Sequence, residues 1–160
     1  MKKTSTVFLQ IVIVLLAIGS AALLLWEPWI EGVNANATSF TQIYFDDPFL
    51  VYAYIASIPL FLAFYGAFRV LGYVGQNKIF TSAAVKSVQH IKYSAMAIIA
   101  FVVGGELIIL LSHGDDDAAG GIAIGLFIIF ASVVIATGAA MFERILQNGV
   151  DIKSENDLTV

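Results

Sequence analysis

Cysteine is absent from all 160 residues, which excludes disulfides, thiolate catalysis and thiolate metal sites. Charge is nearly as scarce. Asp, Glu, Lys and Arg together make up 12% of the chain, about half the share of a soluble domain. Basic residues are missing altogether from two stretches, 27–48 and 112–118. The net charge of -4 and a pI near 4.9 argue against direct nucleic-acid binding. Period-two alternation of apolar and polar residues is also missing, so no half-buried strand is indicated. Without a strand there is no setting for a phosphate-binding glycine loop.

What remains is apolar. Hydrophobic residues make up 59% of the chain, and the mean hydropathy is +0.89. A membrane-spanning helix needs about 20 predominantly apolar residues, and four stretches qualify, at 7–26, 49–74, 93–112 and 118–142. In lipid only helices and closed barrels satisfy every backbone polar group. The expected fold is therefore all-α, a four-helix transmembrane bundle forming a single integral membrane domain over 1–160. The first stretch follows Lys2 and Lys3 like a signal peptide, but it outruns the 7–15 residues of a signal core and is read as a retained span.

Orientation follows from Lys and Arg. All eight fall on one side: Lys2, Lys3, Arg69, Lys78, Lys86, Lys92, Arg144 and Lys153. That side is expected to be the cytoplasm of a cell with a multi-pass plasma-membrane protein, with both termini inside. Trp26, Trp29 and Tyr44 mark the outer interface, and Tyr73 and Tyr93 the inner one.

Helix ends are legible too. Asp47-Pro48 reads as an N-cap followed by proline at the first helical position. Asp117 is expected to cap the fourth span, and His113-Gly114 to end the third. Pro59 lies mid-membrane and should kink the second span. Glycines are expected where helices approach closely: Gly104 and Gly105 in the third span, and the Gly121/Gly125 step in the fourth.

Before the third span, Val85, Val88 and Ile91 recur at helical spacing, with Lys86, Gln89 and His90 on other faces. This predicts a short amphipathic cytoplasmic helix leading into the span, capped by Thr81 or Ser82. The tail at 143–160 is too polar to span. It either continues the fourth helix and docks on the loop, or hangs free.

Ile79-Phe80-Thr81 followed by Val85-Lys86 and Ile91-Lys92, with the tail Glu155-Asn156-Asp157-Leu158-Thr159-Val160, resembles the bacterial four-span membrane proteins catalogued as domain of unknown function 2975. Ala84 stands where that family commonly has asparagine before the Val-Lys pair. That family has no established activity, and the resemblance implies a membrane protein in a regulatory partnership. Its partner would be a cytoplasmic helix-turn-helix regulator, because members are often encoded beside one. No catalytic residue and no cofactor come with it. Phe80, Thr81, Lys86, Lys92, Glu155, Asn156, Asp157 and Leu158 are the candidate partner-binding residues.

One acid, Glu106, lies inside a span. An ionisable group there is a functional hypothesis by default. Counting depth along the spans brings Ser20, Ser57 and Gly125 to its level. Glu106 is read either as a proton or cation site, in a small transporter or channel subunit that would need to form a homo-oligomer, or as a hydrogen-bonded packing residue. His113 with Asp115, Asp116 and Asp117 is read as a solvated turn rather than a metal site, since zinc needs a firmer ligand set. No nucleophile–base pair stands out, so no enzyme is expected.

Overall fold

A computed structural model describes residues 3–30, 37–111 and 118–158. The chain is helical almost throughout, in the order α1 (Lys3–Ile30), α2 (Phe40–Phe45), α3 (Pro48–Gly75), α4 (Ser82–Leu111) and α5 (Ala118–Leu158). Four of these, all but α2, are long and apolar enough to cross a membrane. His113 and Asp115 to Asp117 lie outside the described residues, as does the cap expected of Asp117.

Local chemistry sets the boundaries. Asp47 is extended (φ -85°, ψ 117°), and its Oδ1 accepts from the Phe49 N–H at 2.8 Å, so α3 opens at Pro48 as its sequence requires. At its other end, Asn77 takes a left-handed φ of 55°. Lys78 N–H then reaches the Tyr73 carbonyl at 2.8 Å and Asn77 N–H the Val74 carbonyl at 3.2 Å. This doubly bonded stop satisfies two orphan carbonyls. Thr81 caps α4, accepting from Ala84 N–H at 3.4 Å. The amphipathic segment forms as expected, but it continues without a break into the third span. Pro59 is buried inside α3, which is helical on both sides of it.

The short α2 was not anticipated. Ser39 and Gln42 form a reciprocal capping box around its first turn, a signature visible as Ser-x-x-Gln. Phe40 and Tyr44 pack on its surface with rings tilted by 45° and centroids 4.9 Å apart, and Phe45 meets Tyr54 of α3 edge-on at 6.3 Å.

The spans pack in chain order: α1 on α3, α3 on α4, and α4 on α5, with α2 against α3. Contacts of comparable extent do not close α1 against α5 among the described residues. Close approaches use small residues. Thr6 of α1 lies where a Cβ on Gly75 would come within 3.1 Å of it, and Gln10 Nε2 donates to the Phe68 carbonyl at 3.2 Å. Gly66 lets α3 lie on Ser87 and Ile91 of α4. These contacts put the start of α1, the 76–81 turn, the start of α4 and the end of α5 at one end of the bundle. That end carries the lysines and arginines among the described residues and is called the basic end below.

Candidate functional site

The 41 residues of α5 measure about 60 Å at 1.5 Å per residue, twice the roughly 30 Å hydrocarbon core of a bilayer. The excess lies at the basic end, beside the first turns of α4. There Val85, Val88 and Leu146 are nearly inaccessible, and Ala139 is buried with them. Val70, Ile79, Ile91 and Val150 pack around this cluster.

The two helices meet with coiled-coil spacing. On α4 the seam steps through Val85, Val88, Lys92 and Ala95, and on α5 through Ala139, Glu143, Leu146 and Val150. Such 3-4-3 and 4-3-4 patterns define an antiparallel seam. Its polar rung is an ion pair, Lys92 Nζ to Glu143 Oε2 at 2.6 Å, with about a fifth of each side chain exposed. Gln89 Nε2 donates to the other carboxylate oxygen at 2.8 Å. The Lys92 ammonium also sits 4.7 Å from the Tyr93 ring centroid.

The tail therefore continues α5 and docks. Phe80 in the turn lies directly over Gly149, where an added Cβ would collide with the ring. Thr81 holds the cap of α4. Lys86 is exposed, while Lys92 is engaged by Glu143. Glu155 and Asn156 lie on the exposed last turns of α5. The helix is described as far as Leu158, and the side chains of Asp157 and Leu158 lie outside the described residues. The loop and tail candidates thus fall on one helical hairpin. Glu143, Leu146, Gly149 and Val150 build it and were missed, because 143–160 reads as polar when averaged. The 4-3-4 spacing was the signal that could have found them.

The second candidate lies toward the other end. Glu106 on α4 faces Gly125 on α5, and a Cβ on Gly125 would fall 2.9 Å from Glu106 Cδ and nearer still to Oε1. Glu106 Oε1 is buried without a hydrogen-bond partner. Ser57 spends its hydroxyl on the Tyr54 carbonyl of its own helix, at 2.7 Å. Ser20 is half-buried on α1, which packs on α3 and not on the Glu106 helix to any comparable extent. Of the expected polar layer, the structure brings Gly125 to Glu106. One turn from Glu106, Tyr52 of α3 donates to the Phe101 carbonyl at 2.5 Å, its ring seated over Gly104 and Gly105. Among the described residues no group of His, Asp and Glu could hold a metal ion.

The hairpin carries the loop residues and, on the last turn of α5, the described part of the tail on which the family resemblance rests. The family model described as "Protein of unknown function (DUF2975)" matches residues 5–160. The chain belongs to that family. It is also 42% identical over 162 residues to a protein of Bacillus subtilis (strain 168) described as "Uncharacterized membrane protein YoaS", and the match covers 100% of both chains. No solved structure matches. Family and relative agree with the four spans in making this an integral membrane protein.

Proposed function

We propose that the chain is a non-enzymatic membrane adaptor or regulator, holding a soluble protein at the cytoplasmic face through the basic-end hairpin. The observation that carries this is the hairpin itself. Two of four spans run on past the bilayer and are zipped together there, a construction that crossing the membrane does not require. Its outer surface keeps Lys86, Arg144, Gln147, Ile152 and Lys153 exposed. The partner proposed is the helix-turn-helix regulator that the family resemblance implies, sequestered and released by the tail.

The test is a crosslinked pull-down from native membranes, comparing the full chain with one lacking 154–160. A DNA-binding protein captured by the full chain alone supports the reading. Equal capture by both removes the tail from it. Orientation is checked in the same membranes, since the chain has no cysteine. Single cysteines at positions 5 and 156 should resist an impermeant maleimide in intact cells, and one at position 38 should react.

A second reading has its own observation, the buried and unpartnered Oε1 of Glu106 against Gly125. It makes the chain a small transporter or channel subunit with a proton or cation site. In liposomes, Glu106→Gln should then alter proton or cation flux. Equal flux from both proteins removes Glu106, and no flux from either removes the reading.

A further inference from the structure

A cleft of about 340 Å³ opens between α3 and α4 on the face away from the hairpin seam. Pro59, Leu62 and Tyr65 line it from α3; His90, Tyr93 and Ala97 line it from α4. Leu62, Tyr65 and Tyr93 are each more than half exposed, so the cleft is open sideways, toward lipid. Its depth is that of one leaflet. Counting from the outer ends of α3 and α4, Arg69 and His90 both lie about 30 Å down, at the inner edge of the hydrocarbon, and Pro59 lies about 15 Å down, at its middle.

Beside this cleft stands a cation with no carboxylate partner among the described residues. Arg69 donates to the Tyr65 hydroxyl at 2.9 Å and to the Tyr73 hydroxyl. Tyr65 is itself a wall of the cleft, so the guanidinium is tied to its mouth. Among the described residues Arg69 makes no ion pair with a carboxylate. Two of its five N–H donors are used, which leaves three for a ligand. On α4, Lys86, His90, Tyr93 and Ala97 recur at spacings of four, three and four, which puts them on one helix face. Lys86 is exposed one turn below His90. Lys92, by contrast, is committed to Glu143.

We propose that this cleft is a binding site for an anionic glycerophospholipid of the leaflet at the basic end. One acyl chain lies between α3 and α4 as far as Pro59, and the phosphate meets Arg69, with His90 and Lys86 beside it. The argument is one of matched length and charge. The groove is apolar over the depth of a single leaflet, and Arg69 and Lys86, which make no ion pair among the described residues, stand toward headgroup level. Basic pockets between spans on the cytoplasmic side are suited to such headgroups. The site is independent of the hairpin's partner, because it opens to lipid and not to the cytoplasm.

Native mass spectrometry of the full chain, released from micelles doped with phosphatidylglycerol or phosphatidylcholine, tests this. Wild type should retain one phosphatidylglycerol in preference to phosphatidylcholine by about fivefold or more, the scale of one cation near a charged surface. Arg69→Gln should bring the two lipids to parity. Ala97→Phe, which fills the groove, should lower retention of both, and Leu62→Trp at the lip serves if that variant loses its helical circular dichroism. Lys153→Gln, away from the cleft, should keep the preference. Parity of the two lipids in wild type would overturn the proposal, as would a preference that survives Arg69→Gln. Unchanged retention in both groove-filling variants would also overturn it, and so would displacement of the lipid by millimolar inorganic phosphate, which would show a headgroup site without an acyl groove.

Discussion

Helices α4 and α5 are held together by different chemistry at their two ends. At the basic end the contact is a seam of Val85, Val88, Leu146 and Val150 with one ion pair. Toward the other end it is a glycine face, Gly121 against Ile109 and Gly125 against Glu106. The difference follows the solvent. Where water reaches the helices, burying branched side chains is favourable and keeps them together. Inside lipid that force is gone, because tails are as apolar as leucine, and helices associate through close backbone approach and polar contacts. One pair of helices therefore shows both modes.

Substitutions that act on one mode alone would break the comparison. The largest effect is expected at Leu146, 4% exposed. Leu146→Ala should cost about 2–4 kcal/mol and free residues beyond 143 to limited proteolysis, while the Glu106 end stays protected from hydrogen exchange. Loss of protection at both ends would mean the two modes are coupled.

Gly125→Ala should come next. It drives a methyl into the Glu106 carboxyl, for about 1–3 kcal/mol of overpacking, read as a lower melting temperature in detergent. Glu106→Ala in the same chain should restore much of the loss, since it removes the group struck. Absence of rescue would say that the backbone, and not the side chain, sets that contact.

A smaller loosening is expected from Glu143→Gln, which leaves the Lys92 ammonium without its carboxylate. The pair is partly exposed, so its contribution should shrink as salt rises. Hydrogen exchange of 82–92 at low and high salt checks this, and a salt-independent effect would make the rung a packing feature. Smallest is Tyr52→Phe, which deletes an interhelical hydrogen bond within the membrane. About 0.6 kcal/mol is the average for such bonds, measurable as a shift in the unfolding midpoint.

Legibility in the sequence followed the range of the interactions. The four spans could be read because a bilayer demands long apolar runs whatever they pack against. The Asp47-Pro48 start, the Thr81 cap and the amphipathic run before the third span involve neighbours within one turn, and they stand as expected. The capping box of Ser39 and Gln42 was equally local and was overlooked. The candidate site was only partly readable. Phe80 and Thr81 could be picked out in the turn, but that Phe80 rests on Gly149 depends on residues 69 positions apart. The layer around Glu106 was built by matching depth, which brought in Gly125 correctly. Depth carries no information on which helices are neighbours, and α1 with Ser20 packs on α3.

The sequence by itself determined that this protein lives in a bilayer, that it has four spans, and where α3 and α4 start, because those properties depend on composition and on contacts within a turn. Only the tertiary structure decided that the spans pack in chain order, that the polar tail is the far half of a hairpin, and that Lys92 is neutralised by Glu143 while Arg69 is held by the Tyr65 and Tyr73 hydroxyls. Those outcomes depend on which helix faces meet. Helices of nearly uniform hydrophobicity do not encode that choice in their period; it is made by a few glycines and charges acting across the chain.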